Sequence, residues 1–140
     1  MTHLDSIDTP ALILDRTILQ RNLDRMAATV AARGVALRPH LKTAKCRDIA
    51  LMATAGQYSP VTVSTLLEAE EFLGWGYRDI FYAVCLGPGK VARAARLLKA
   101  GAKLITCIDH ATAAAAIVEG AKREGVTFRT VIEVDCGEGR

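Results

Sequence analysis

The stretch Val35-Ala36-Leu37-Arg38-Pro39-His40-Leu41-Lys42-Thr43-Ala44-Lys45 carries the residues best suited to chemistry. Extended chain alternates its side chains between two faces, so Leu37, Pro39 and Leu41 are expected on one side and Arg38, His40 and Lys42 on the other. A row of three basic groups is stable only against water or an anion, because an unpaired buried charge is costly. A lysine at the end of such a row is a candidate covalent nucleophile, and cationic neighbours such as Arg38 and His40 favour its reactive neutral form. Lys45 is the second candidate, on the opposite parity and in the expected turn. His40 reads either as a hydrogen-bonded core histidine or as a group that orients the lysine, and the second reading is preferred.

Glu133 and Asp135 share a face in the same way near the end of the chain. They can form an ion-pair lattice with Arg38 or Lys42 that orients the lysine, or a structural salt bridge in the interior; both readings stand. Gly87-Pro88-Gly89-Lys90 could offer helix amides to a phosphate. It has neither the dinucleotide fingerprint nor the P-loop pattern, so a plain turn is favoured. His110 reads as a surface helix start and His3 as part of a terminus. Cys46, Cys85, Cys107 and Cys136 form no C-x-x-C pair, which favours separate reduced thiols over disulfides or zinc; no metal ligands stand at the usual spacing.

The elements that must position these groups alternate along the chain. Strands are expected at Ala11 to Leu14, Val35 to Leu41, Val61 to Ser64, Ile80 to Cys85, Leu104 to Ile108 and Thr130 to Asp135. Between the first two, Leu19, Leu23, Met26 and Val30 recur at helical spacing as one buried stripe, capped by Asp15 and ended by Gly34. A short helix is expected over Asp48 to Ala55. Thr65-Leu66-Leu67-Glu68 makes a capping box for the next helix. A further helix runs through Val91, Ala94, Ala95 and Leu98, and Asp109 is expected to cap the alanine-rich helix after the fifth strand. Regular alternation predicts parallel strands with helices outside, in a barrel or a doubly wound sheet. On a barrel, Lys42 and Asp135 would both lie at carboxyl ends of strands, where such folds do chemistry.

With 140 residues, 51% of them hydrophobic, the chain can bury one core of ordinary domain size. A complete eight-stranded barrel needs about 250 residues, and about six strands are visible, so the chain reads as a truncated part of a longer protein. Its net charge of +3 comes from intermixed signs and only 5% of residues are aromatic, which excludes a basic or base-stacking nucleic-acid surface. No stretch has the apolar length of a membrane span or the layout of a signal peptide, and a cytoplasmic location is expected.

The wording Arg38-Pro39-His40-Leu41-Lys42-Thr43 resembles the N-terminal domain of the pyridoxal-phosphate enzymes with the alanine racemase fold, specifically the D-threonine aldolase and D-serine dehydratase group. Asp8 to Asp15 is similar to that group's opening strand, Ser64 to Glu70 with Gly76 to Ala83 to its third helix and next strand, and Glu133 to Arg140 to its sixth strand and arginine loop. Ala44 stands where some relatives have histidine. The resemblance implies a partial (β/α)8 barrel over residues 1–140, a C-terminal β domain outside this chain, and a homodimer when full length. It implies that Lys42 holds pyridoxal 5'-phosphate as a Schiff base, that Arg38, His40 and Asp135 line the cofactor, and that Arg140 approaches the ring hydroxyl. The activity it implies is that of a lyase or aldolase on D-hydroxy amino acids such as D-serine or D-threonine, with a divalent metal (Zn or Mn) held outside this chain. A racemase or a pyridoxal-phosphate carrier of the same fold is the alternative. Alone, the 140-residue chain is expected to be inactive.

Overall fold

Four runs of β-branched and aromatic residues become the strands β1 (Val61–Val63), β2 (Asp79–Cys85), β3 (Lys103–Ile108) and β4 (Arg129–Ile132) of one sheet. The computed structural model describes residues 3–58 and 60–139. Contacts divide the chain into two units, Met1–Leu37 and Arg38–Arg140.

The sheet belongs to the second unit. Its strands are all parallel and lie in the order β1-β2-β3-β4. Sequential order without reversal is the winding of a barrel, whereas a doubly wound sheet switches direction partway. The fold is therefore α/β, a partial TIM-like barrel. Helices α2 (Arg47–Ala53), α3 (Leu66–Gly74), α4 (Val91–Lys99) and α5 (Ala111–Glu124) are interleaved with the strands. Val61, Val63, Ile80, Tyr82 and Leu104 are fully buried, in one cluster with Leu66, Ala69, Phe72, Ala94 and Leu97 from the helices. Thr62, Asp79, Phe81, Ile105 and Cys107 have the opposite parity and face the other side of the sheet.

The second expected strand pairs only at its end. His40 bridges Thr62 in parallel, with the Thr62 amide donating to the Pro39 carbonyl at 2.8 Å and the Leu41 amide to the Thr62 carbonyl at 3.1 Å. Its neighbour β1 is three residues long, and Pro39 has no N–H to add to a ladder. The bridge still extends the sheet by one position beyond β1. Leu41, only 6% exposed, joins the core as expected for its parity.

The first unit contains helix α1 (Arg16–Ala31), and the Asp15 carboxylate caps it by accepting from the Ile18 amide at 2.9 Å. The turn after it closes at Gly34, whose φ of +65° is the left-handed conformation that glycine takes without a Cβ clash. The stripe expected to be buried is not: Leu19, Leu23 and Val30 are half-buried and Met26 is exposed. Among its described residues this unit has no sheet to cover the stripe. The expected first strand does not form either. Residues 11–14 carry no ladder, and Leu12, Ile13 and Leu14 are exposed. Extended chain becomes a strand only when a neighbour takes up its amides and carbonyls, and no described residue does so here.

Glu68 fixes the junction between β1 and α3. The Thr65 hydroxyl accepts from the Glu68 amide at 3.0 Å, as a capping box requires. The Glu68 carboxylate accepts from the Ser64 amide at 2.8 Å, one residue upstream of the usual position, and pairs with Lys45 at 3.3 Å. Burial alone would push this carboxyl up, but the Ser64 amide, Lys45 and Thr65 outweigh it and hold Glu68 below its ordinary range.

Two later junctions depart from, or refine, the sequence reading. Asp109 does not cap α5; its carboxylate bonds the His110 ring, and the N-cap His110 makes no side-chain cap bond. Pro88–Lys90 is a 3-10 turn in which Lys90 donates to the buried Tyr82 hydroxyl at 3.1 Å, so the plain-turn reading suits it.

Replacing Gly120 with Ala should destabilise the fold by about 1–3 kcal/mol, because an added Cβ would run into Val91 Cγ1. Gly74→Ala meets open space and should be neutral or stabilising, by up to about 1 kcal/mol. Chemical denaturation compares the two; equal behaviour would refute the packing assignment. Glu68→Gln should cost about 1–3 kcal/mol at neutral pH, since it weakens a buried charged network. A carboxyl whose folded pKa lies below its ordinary value of 4.5 stabilises above that value and loses this contribution as pH falls through the lower folded pKa. The gap between wild type and Glu68→Gln should therefore narrow as pH falls below 4.5 and through the lowered folded pKa. A gap that stays constant contradicts the network.

Candidate active site

Because the strands are parallel, their carboxyl ends share one edge, the edge on which barrel enzymes place reactive groups. Lys42 lies there, exposed, in a turn over residues 42–44 directly after the His40 bridge. The strand ends before it, so the expected alternation holds for His40 and Leu41 and does not extend to Lys42. The Lys42 amide donates to His40 Nδ1 at 3.4 Å, and His40 Nε2 stands 3.4 Å from Ser64 Oγ. Nδ1 accepts only when unprotonated, which assigns the ring hydrogen to Nε2. Crowding of the ring, then the Lys42 charge, lowers the His40 pKa below its ordinary value of 6.5 against a smaller opposing pull from Glu68. His40 thus acts on the lysine turn as a neutral hydrogen-bonding partner, which suits orientation rather than charge.

Lys42 and Lys45 are separated by their partners. Lys45 has a φ of +44° and its amine pairs with buried Glu68. Among the described residues no carboxylate lies within ion-pair distance of the Lys42 amine.

Arg38 shares the His40 parity but sits at the other end of the strands. Its guanidinium pairs with Asp79 Oδ1 at 2.8 Å and reaches the Val61 carbonyl at 3.5 Å, and these are the first residues of β2 and β1. The row Arg38, His40, Lys42 therefore runs along the sheet from its amino edge to its carboxyl edge, and Arg38 is not brought to Lys42.

Of the two groups offered as partners for the acidic pair, Arg38 is bound to Asp79 instead, and Glu133 and Asp135 make contacts of their own. Asp135 Oδ1 accepts from the amides of Gly137, Glu138 and Gly139 at 2.8, 2.9 and 3.3 Å, which folds the loop after β4 around its carboxylate. Glu133 Oε2 lies 3.5 Å from Cys85 Sγ and 3.9 Å from Cys107 Sγ. Arg140 falls outside the described residues.

The association of Cys85, Cys107 and Glu133 was not legible as a motif. Cys85 and Cys107 are register partners on β2 and β3, past an irregularity between Phe81 and Cys85, and Glu133 follows β4. The available signal was a cysteine at the carboxyl end of two consecutive strands, which becomes a pair only once strand order is known. Burial, then the Cys107 thiol and Glu133, pushes the Cys85 thiol up to about 12, and burial raises Cys107 as well. Both are protonated at neutral pH and poor nucleophiles.

The model of the alanine racemase N-terminal domain matches residues 14–140. The chain is 41% identical over 130 residues to D-threo-3-hydroxyaspartate dehydratase of Delftia sp. (strain HT23), covering 93% of this chain and 34% of that protein. It is 34% identical to D-threonine aldolase of Arthrobacter sp, covering 98% of this chain and 36% of the relative. The crystal structure of D-threonine aldolase from Filomicrobium marinum superimposes with a TM-score of 0.86 at 32% identity, over 98% of this chain and 37% of that one. The chain thus spans about a third of the length of the curated relatives it matches. Among the described residues no helix is long and apolar enough to cross a membrane. With the parallel sheet, its sequential strand order and a match over residues 14–140, this chain belongs to the alanine racemase N-terminal domain family.

Proposed function

We propose that this chain is the N-terminal barrel part of a pyridoxal-phosphate-dependent lyase or aldolase acting on D-configured hydroxy amino acids, of the D-serine dehydratase or D-threonine aldolase type. The observation that carries this reading is Lys42: an exposed amine at the carboxyl edge of the sheet, with no carboxylate paired to it among the described residues, in a turn held by His40. A lysine already committed to an ion pair, as Lys45 is, would have to give up that partner before reacting with an aldehyde. The relatives' names, a D-threo-3-hydroxyaspartate dehydratase and D-threonine aldolases, support the D-hydroxy amino acid class.

The residues present fit the cofactor. Lys42 is the residue to link to its aldehyde carbon, and when bound the cofactor supplies an electron-withdrawing ring that eases breakage of a bond at the substrate Cα. His40, neutral and fixed by the Lys42 amide, orients the turn that carries the amine. Asp135 keeps its loop folded over the same edge, and Arg140 at the end of that loop is assigned to the cofactor ring in this proposal. Arg38 supports the site from below through Asp79 rather than by touching the cofactor. A divalent metal (Zn or Mn) held by residues beyond this chain, a homodimeric full-length enzyme and a cytoplasmic location belong to the same proposal.

Borohydride reduction in the presence of pyridoxal phosphate, followed by peptide mapping, should place the pyridoxyl group on Lys42. An adduct on Lys45 or Lys90 with Lys42 unmodified sinks the assignment. In the full-length enzyme Lys42→Ala should abolish turnover, by about 10³-fold or more, while Lys45→Ala retains most of it. The same enzyme should release pyruvate and ammonia, or glycine, from a D-hydroxy amino acid and not from its L-enantiomer. Racemisation of alanine without either product would select the racemase alternative.

A further inference from the structure

We propose that Cys85, Cys107 and Glu133 form a binding site for a soft divalent cation of the zinc type, at the carboxyl ends of three consecutive strands. The three ligand atoms lie within 4.8 Å of one another, and the two thiols stand 3.5 and 3.9 Å from the same Glu133 oxygen. A tetrahedral zinc with bonds of about 2.3 Å to sulfur and about 2.0–2.2 Å to oxygen holds its sulfur and oxygen ligands about 3.5 Å apart and its two sulfurs about 3.8 Å apart. The two sulfur–oxygen separations of 3.5 and 3.9 Å lie close to the first of these spacings, and the whole set fits within 4.8 Å. Three ligands leave the fourth position to water or another donor, the layout of an open rather than a closed zinc site.

The surroundings favour a cation in two further ways. Glu133 lines one recess at this edge together with Asp109, Asp135 and Glu138, so the third ligand stands among further oxygen donors. The ligands also come from rigid parts of the fold: Cys107 is 2% exposed, Cys85 is its register partner, and the Glu133 amide donates to the Ile108 carbonyl at 2.8 Å. Binding breaks two S–H bonds, forms two sulfur–metal bonds and releases two protons to solvent for each cation taken up. Zinc fits better than magnesium or calcium because two of the three donors are sulfur. All three ligands belong to this chain, so this site is separate in its residues from the metal placed beyond it above, and it needs no pyridoxal phosphate.

Cobalt titration of the reduced, metal-stripped protein without pyridoxal phosphate tests the proposal. One equivalent should produce a near-ultraviolet thiolate-to-cobalt band with the visible bands of tetrahedral cobalt, and zinc should abolish both by displacement. Cys85→Ser and Cys107→Ser should each remove the thiolate band or strongly weaken it. Glu133→Gln should weaken binding by at least the roughly 10–100-fold that loss of an outer partner costs. Cys46→Ser and Cys136→Ser should leave the spectrum unchanged. In the unaltered protein, zinc should also protect Cys85 from alkylation, read by peptide mass spectrometry, and raise the melting temperature. That measurement stands even if a serine variant fails to fold. Absence of the thiolate band with all thiols reduced, a band that survives both Cys85→Ser and Cys107→Ser, or alkylation of Cys85 at an unchanged rate in zinc would each overturn the site.

Discussion

Glu68 is the residue through which the sheet, a helix start and the candidate lysine turn are joined. A carboxylate that is 7% exposed must find partners for its oxygens, and each partner it finds constrains a different segment. The Ser64 amide ties it to the end of β1, Thr65 to the first turn of α3, and Lys45 to the loop that begins at Lys42. Losing one such partner leaves charge in a partly dry site, so the three segments are held as a set. The loop that presents Lys42, whose amine has no carboxylate partner among the described residues, is thus fixed by a neighbour that pairs with Lys45.

Parallel pairing supplies the second constraint. Each strand enters the sheet at the same edge and leaves at the opposite one, which divides the labour between the two ends. At the amino edge Arg38 and Asp79 form a half-exposed pair, placed where it can close the gap between the His40 segment and β2. At the carboxyl edge stand Lys42, His40, Ser64, Cys85, Cys107, Asp109, Glu133 and Asp135, polar and ionisable groups of the described unit. Charge at the first edge is neutralised locally. At the second, Asp109 meets the His110 ring and Asp135 its loop amides, while the Lys42 amine has no carboxylate partner among the described residues.

Much of this was legible because local patterns and tertiary structure agree. Strands at Val61, Ile80 and Leu104 were readable from β-branched runs, helix α1 from its cap and its glycine stop, and α3 from Thr65 and Glu68. What failed were statements that require a partner. Ala11 to Leu14 has the composition of a strand and no ladder, Val35 to Leu41 pairs only at its last residues, and Asp109 turns to His110 instead of capping α5. Composition states a preference for extended or helical backbone, and only a neighbour converts it into hydrogen bonds. Strand parity likewise predicted that Arg38 and His40 share a face, yet it carries no information about height along the barrel. Arg38 and Lys42 were separated by that missing coordinate.

The cysteines illustrate the same limit from the other side. In sequence Cys85, Cys107 and Glu133 are separated by whole helices, and no spacing rule for metal ligands spans such gaps. In a sequentially wound parallel sheet, however, each strand–helix unit returns the chain to the same edge, so residues at equivalent strand ends become lateral neighbours about 4.8 Å apart. The fold therefore acts as a spacing rule of its own, with a period set by the strand–helix repeat. Groups that recur at that period converge at the reactive edge whether or not the cofactor chemistry uses them. This is how Lys42 and the Cys85, Cys107 and Glu133 triangle come to occupy one edge of one sheet.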